Sequence, residues 1–241
     1  MRFSAILGDM QPNQPRTPKQ SRSIATKERL FEAARELFAE EGYHHTNTKK
    51  IAARGGIAVG SFYAYYRNKK AVFLEVIRSY YRRIEEEAFG GISDLMGRVE
   101  GAASTPSEGP AQNDVTAPNA VRTPQDAARF LNGMVRKLYE AHDISPRLHR
   151  EITGMRYSDP EVAALIEEEE EKTVGRIQAL LAAFRPLLQC EDLEAAARIV
   201  HRAAEEVIHS VKIFGSPVEP ERLLAELQAM LNRYLFGAEP Q

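Results

Sequence analysis

At 241 residues and 27.0 kDa the chain has room for one large or two modest domains, each with its own core. Its one cysteine, Cys190, excludes an intrachain disulfide and a thiolate metal cluster, as suits a reducing cytoplasm, and no apolar run reaches the length of a signal-peptide core or a membrane span. The formal charge of −2 hides a division: residues 16–72 hold 12 Lys and Arg against 5 Asp and Glu, whereas residues 73–241 hold 19 against 28. A basic first quarter joined to an acidic remainder fits one module that faces nucleic acid and another that faces something else.

Residues 1–22 are rich in Pro, Gln and Ser, with Arg16, Lys19 and Arg22 near their end, and read as a flexible basic arm; such an arm can enter a minor groove, but the preferred reading is a tail of no consequence. An amphipathic helix is predicted over Thr26–Glu41, because Leu30, Ala34, Leu37 and Phe38 fall at i, i+4, i+7 and i+8. Gly42 ends it, Tyr43 can plug the turn, and Thr46 or Asn47 can cap the next helix. Thr46 to Lys70 then reads as two short helices around a tight turn. Ile51 and Ala52 form a small apolar face, Gly55-Gly56 breaks the first helix, and Val59–Tyr66 forms the second with Phe62 and Tyr66 one turn apart. Such a unit is a helix-turn-helix, whose second helix fits the major groove of DNA. Lys49, Lys50, Arg54, Arg67, Lys69 and Lys70 surround it, and no acid lies between Thr46 and Lys70, which is the footprint of phosphate contact. The plainer reading is a solvated helical hairpin.

Lys69 to about Phe89 is predicted as a longer helix with Val72, Phe73, Val76, Ile77 and Tyr80 inward, leading from the basic module into the acidic one. Residues 97–122, full of Gly, Ala, Pro, Ser and Thr without periodicity, read as a disordered insertion. Helices are then expected over Thr123–His142, from Ser145-Pro146 to about Met155, from Ser158-Asp159-Pro160 to Phe184, over Leu193–Phe214, and over Pro220–Phe236. No alternating strand pattern occurs, so the fold class is all-α, with a domain at 23–70 and a second at 71–241. Apolar residues run round the last two helices (Ile199, Val200, Val207, Ile208 and Val211; Leu223, Leu227, Met230, Leu231, Tyr234 and Leu235) beyond the needs of one chain. Two such helices from each of two chains would close a four-helix interface, making a homodimer.

Other chemistry finds less support. His201, Glu205 and His209 share one helix face, and Glu206 to His209 is a Glu-x-x-His, but bundle metal sites need a second such motif in the same bundle and residues 71–241 hold no other; these are read as polar surface or interface residues, with no metal and no cofactor expected. The run Glu167–Glu171 cannot place all its carboxylates on one helix face and reads as solvated surface. Tyr139, His142, Met155, Arg156 and Tyr157, near helix ends, read as core rather than as an effector pocket. No phosphate loop or nucleophile motif appears, so no enzyme is expected; the alternative, an all-α metal-binding or enzymatic bundle, rests on Glu206 to His209 alone.

Gly42-Tyr43, Thr46, Ile51-Ala52, Gly56-Ile57, Gly60, Phe62-Tyr63, Tyr65-Tyr66 and Lys69 resemble, over about residues 24–75, the N-terminal domain of TetR-family transcriptional regulators. The resemblance implies a homodimeric, cytoplasmic regulator, most often a repressor, that leaves operator DNA when a small-molecule effector binds its C-terminal domain. It also implies roles by position. Thr46 and Thr48 would meet phosphate, with Lys49 beside the DNA. Val59, Gly60, Ser61 and Tyr65 would face the groove, and Tyr63 and Lys69 would bond phosphate. Two positions depart from the family pattern: Ala58 stands where a Ser cap is frequent, and Gly55 where a small residue with a Cβ is usual. The reading face is poor in long polar groups, which implies contact with thymine methyls.

Overall fold

The computed structural model describes residues 21–90, 121 and 123–237, and among these every regular element is helical. The expected arm therefore lies outside the described residues except for Ser21 and Arg22, and the expected insertion except for Val121. The chain forms two compact units that divide between Val76 and Ile77, inside one helix.

In the first unit, α1 spans Ser21–Glu41, α2 Thr48–Arg54 and α3 Val59–Phe62, and α4 begins at Lys69 and runs to Phe89. The predicted apolar stripe is the core: Leu30, Ala34, Leu37 and Phe38 of α1 are buried with Ile51, Ala52, Phe62, Tyr66, Val72 and Phe73. Phe38 meets Phe73 edge-on at 4.8 Å between ring centroids, and Tyr43 closes the same cluster at 4.8 Å from Phe73. Full burial of each large apolar side chain contributes about 1.5–3 kcal/mol. Surface pairs such as Arg35–Glu32 add about 0–1. Burial of the stripe therefore holds the unit together.

Glycines set both corners. Gly42 ends α1 at φ 82°. Beyond α2, Ile57 N donates to Ala52 O at 2.8 Å and Gly56 N to Ala53 O at 3.1 Å, the paired bonds of a Schellman turn, with Gly56 at φ 64°. Gly55 stays right-handed, but a Cβ there would lie 3.3 Å from Arg29 O of α1, so its bareness lets the two helices approach rather than loosening the turn. The second motif helix is shorter than its predicted span to Tyr66. Ala58 gives α3 no side-chain cap, and beyond Phe62 the chain turns through Ala64 N→Ser61 O and Tyr65 N→Phe62 O bonds.

The second unit takes the rest of α4 and then α5 (Pro124–Ala141), α6 (Pro146–Arg156), α7 (Pro160–Ala183), a 3₁₀ turn at Arg185–Leu187, α8 (Leu193–His209) and α9 (Pro220–Phe236). The predicted starts hold. Thr123 and Asp126 form a capping box, Asp159 accepts from Glu161 N and Val162 N, and proline opens α5, α6, α7 and α9. The helix expected to reach Phe214 is α-helical only to His209; Ser210–Phe214 is a π-helical turn. The core joins Leu131 and Val135 of α5, Ile177 and Leu181 of α7, Val200 of α8, and Leu227 and Leu231 of α9. No helix among the described residues is long and apolar enough to cross a membrane.

Gly56→Ala should lower stability by about 1–2 kcal/mol, the cost of a side chain in the left-handed region. Gly60→Ala, where an added Cβ meets nothing within 4 Å, should be neutral or stabilising by up to about 1 kcal/mol. Urea unfolding midpoints of the two variants check the contrast.

Candidate nucleic-acid interface

The Schellman turn and the buried Phe62 present the short α3 on the surface of the first unit. Val59, Gly60 and Ser61 are exposed there, as is the Tyr63 ring, at 48%. Thr48, one residue past the Asn47 cap of α2, brings its hydroxyl to 3.2 Å from Tyr63 Oη. Lys49 is exposed next to it and makes no ion pair among the described residues. The structure thus gathers Thr48, Lys49, Val59, Gly60, Ser61 and Tyr63 as two hydroxyls, an ammonium and a small apolar turn. Hydroxyl and ammonium groups suit phosphate oxygens, and a face of Val and Gly suits close approach to base edges.

Three expected residues are placed otherwise. Thr46 is 1% exposed, and its hydroxyl donates to Gly42 O at 2.8 Å, with Leu37 O at 3.3 Å, so it closes the corner after α1. Lys69 Nζ donates to Tyr43 O at 2.6 Å and Thr46 O at 2.9 Å and lies 4.0 Å from the centre of the Tyr43 ring. Its ammonium clamps the α1–α2 loop. Tyr65 is half-buried, with Oη 3.2 Å from Ser23 Oγ, which turns its hydroxyl toward α1.

The basic footprint is also partly answered from within. Lys50 pairs with Glu41 at 2.5 Å, and Arg54 reaches Glu36 at 3.2 Å and Glu40 at 2.8 Å. Hydrogen bonding to Glu40 first, then to Glu36, raises the Arg54 pKa. Sequence reasoning missed these pairs, although Glu36 and Glu40 at i, i+4 on the outer face of α1 were the available signal.

In the second unit Glu205 and His209 meet His142 and His149, and His201 is not among them. Burial, then the neighbouring His142 and His209, lowers the His149 pKa to about 3. The run from Glu167 is not uniformly solvated: Glu169 is buried beside Lys172, and Glu170 is held by Arg156 and Arg202. Met155 and His142 are buried as expected, but Tyr157 is 85% exposed and so is not core.

Residues 30–76 match the family model for bacterial regulatory proteins of the tetR family, and residues 126–235 match the tetracyclin repressor-like C-terminal domain. The fatty acid metabolism regulator protein of Bacillus subtilis is 37% identical over 62 residues, which cover 24% of this chain and 32% of that one. The chain thus spans about a third of the length of that relative. The HTH-type transcriptional regulator UidR of Escherichia coli is 26% identical over 168 residues, 63% of this chain and 86% of that one. The same overall fold occurs in the fatty acid degradation regulator FadR from Bacillus halodurans, at a TM-score of 0.57 and 17% identity over 90% of this chain and 97% of that chain.

Lys69→Met removes the donor to two loop carbonyls and should lower stability by about 1–3 kcal/mol. Lys49→Met, on an exposed site, should stay within about 0.5 kcal/mol of the parent. Equal losses in chemical denaturation would contradict the clamp.

Proposed function

Because the chain belongs to the TetR family of transcriptional regulators, we propose that α2 and α3 bind double-stranded operator DNA, and that a small-molecule effector bound in the second unit releases it, making the protein a repressor. The observation that carries this reading is the Thr48–Tyr63 hydroxyl pair standing with Lys49 at the edge of the exposed Val59–Ser61 turn. In the proposed complex the turn enters the major groove, where Val59 offers methyl contact to thymine and Ser61 a hydroxyl to base edges. Thr48, Lys49 and Tyr63 grip flanking phosphates and fix the register. Thr46, Lys69 and Tyr65 keep these groups in place from within the unit and read no base.

The protein works as a homodimer in this reading, and does so in the cytoplasm, where the operator is. Support comes from α8 and α9, where Ile199, Met230 and Tyr234 remain exposed beside a buried stripe of Leu224, Leu227, Leu231 and Leu235. A second copy would cover them and set two reading turns on one duplex. Its work is binding rather than catalysis: the exposed groups at α3 are hydroxyls, an ammonium and an apolar turn, with no base placed to activate a nucleophile.

The test begins with fragments selected from the source genome, followed by affinity against salt concentration. Lys49→Ala should weaken all bound sequences similarly and flatten the slope of log affinity against log salt by about 1. An unchanged slope would remove Lys49 from the phosphate contacts.

A further inference from the structure

Four side chains that the DNA-facing unit does not use converge inside the second unit. His142 follows the last turn of α5, His149 lies on α6, and Glu205 and His209 lie one turn apart on α8. One ligand atom from each falls within 4.8 Å of the other three. The rings crowd together: the His149 and His209 centroids are 4.5 Å apart, those of His142 and His149 5.0 Å, and those of His142 and His209 5.5 Å. His142 and His149 are only 1% and 2% exposed.

A hydrogen-bond network does not account for this arrangement. His142 Nε2 is buried without a hydrogen-bond partner and sits 3.8 Å from Glu205 Oε2, beyond bonding range. His209 Nε2 lies 2.9 Å from the same oxygen, yet it too lacks the alignment of a hydrogen bond. An unsatisfied buried polar atom costs about 1–3 kcal/mol, and here two aim at one carboxylate. The far sides of two rings, by contrast, are tied. His142 Nδ1 donates to Leu138 O at 2.7 Å, and His149 Nδ1 is 2.9 Å from Tyr80 Oη of α4. An imidazole anchored at Nδ1 with Nε2 turned toward a carboxylate, as His142 is toward Glu205, is the arrangement that metal ligation requires.

We propose that His142, His149, Glu205 and His209 bind one divalent transition-metal ion of the zinc class. Three imidazoles and a carboxylate, without thiolate, suit a borderline ion and not Ca²⁺ or Mg²⁺, which take oxygen ligands. Four ligands at about 2.0–2.1 Å would stand roughly 3.3–3.4 Å apart, so as the ion enters the wider pairs close and His209 Nε2 and Glu205 Oε2, now 2.9 Å apart, separate slightly. The π-helical turn Ser210–Phe214 that directly follows His209 gives that end of α8 a local irregularity to absorb the movement. With four protein ligands the shell is closed, which makes the ion structural or regulatory and not a catalyst. Leu138 O and Tyr80 Oη are positioning groups, holding the ring tautomers that leave Nε2 free to ligate. The proposal stands on the second unit alone and is independent of the DNA-binding reading.

The test uses the full chain, stripped of metal with a chelator and titrated with Co²⁺ and then Zn²⁺. One Co²⁺ per chain should bind with the visible d–d bands of four-coordinate geometry, be displaced by Zn²⁺, and raise the thermal midpoint. Glu205→Gln and His142→Asn, each first shown by circular dichroism to be folded without metal, should lose the bands. Tyr80→Phe should keep them while binding about 10–100-fold more weakly. Absence of bands in the folded parent would overturn the site, and so would bands of equal strength in both ligand variants, which would place the ion elsewhere.

Discussion

One ammonium holds the surface proposed to face DNA in place. Lys69, the first residue of α4, donates to the carbonyls of Tyr43 and Thr46 and covers the Tyr43 ring, tying the loop after α1 to the start of α4. Charge-assisted hydrogen bonds of this kind contribute about 1.5–3 kcal/mol each, against about 0–1 for an exposed ion pair. Thr46 closes the same corner through Gly42 O, and Asn47 caps α2 one residue later. The position of Thr48, and through it of the Tyr63 hydroxyl, derives from that corner. The short α3 has no side-chain cap of its own, so its placement comes from Phe62 in the core and from the turn before it.

The charge of the first unit works in two ways. Lys50 and Arg54 pair with Glu41, Glu36 and Glu40 and so brace α2 against α1. Lys49, on the same helix, faces outward. A count of basic residues therefore overstates the charge available to phosphate, and the remaining surface leans on hydroxyls and a small apolar turn. In the proposed complex such a surface reads shape and methyl groups more than hydrogen-bonding edges.

Much of this architecture was legible from local pattern. The stripe through Leu30, Ala34, Leu37 and Phe38 named the core of α1, and Thr123, Asp159 and the prolines marked helix starts, because caps and periodicity act over three or four residues. The end of α3 was not legible: the aromatic run from Phe62 to Tyr66 suggests a continuing helix, but beyond Phe62 the chain tightens through Ala64 N→Ser61 O and Tyr65 N→Phe62 O bonds, beside one α-type bond from Tyr66 N to Phe62 O. Of the residues expected to meet DNA, Val59, Gly60, Ser61 and Tyr63 are exposed, Thr46 is buried, and Lys69 is half-buried with its ammonium on two backbone carbonyls. Motif position says where a residue sits, but the direction of a long side chain depends on carbonyls 23 and 26 residues away. The histidine cluster shows the same limit. Glu205 and His209 share a helix face that the sequence displays, whereas His142 and His149 lie more than fifty residues earlier and meet them only through the packing of α5, α6 and α8.

The central claim is that the Val59–Phe62 turn enters the major groove, once from each of two copies. Dimethyl sulfate protection on a bound genomic fragment measures this most directly, because the reagent methylates guanine N7 in that groove. The account predicts protection in two patches about 34–36 Å apart, or a multiple of that spacing, on one face of the duplex. Guanines left fully reactive throughout a bound fragment, or protected in a single patch, would contradict it.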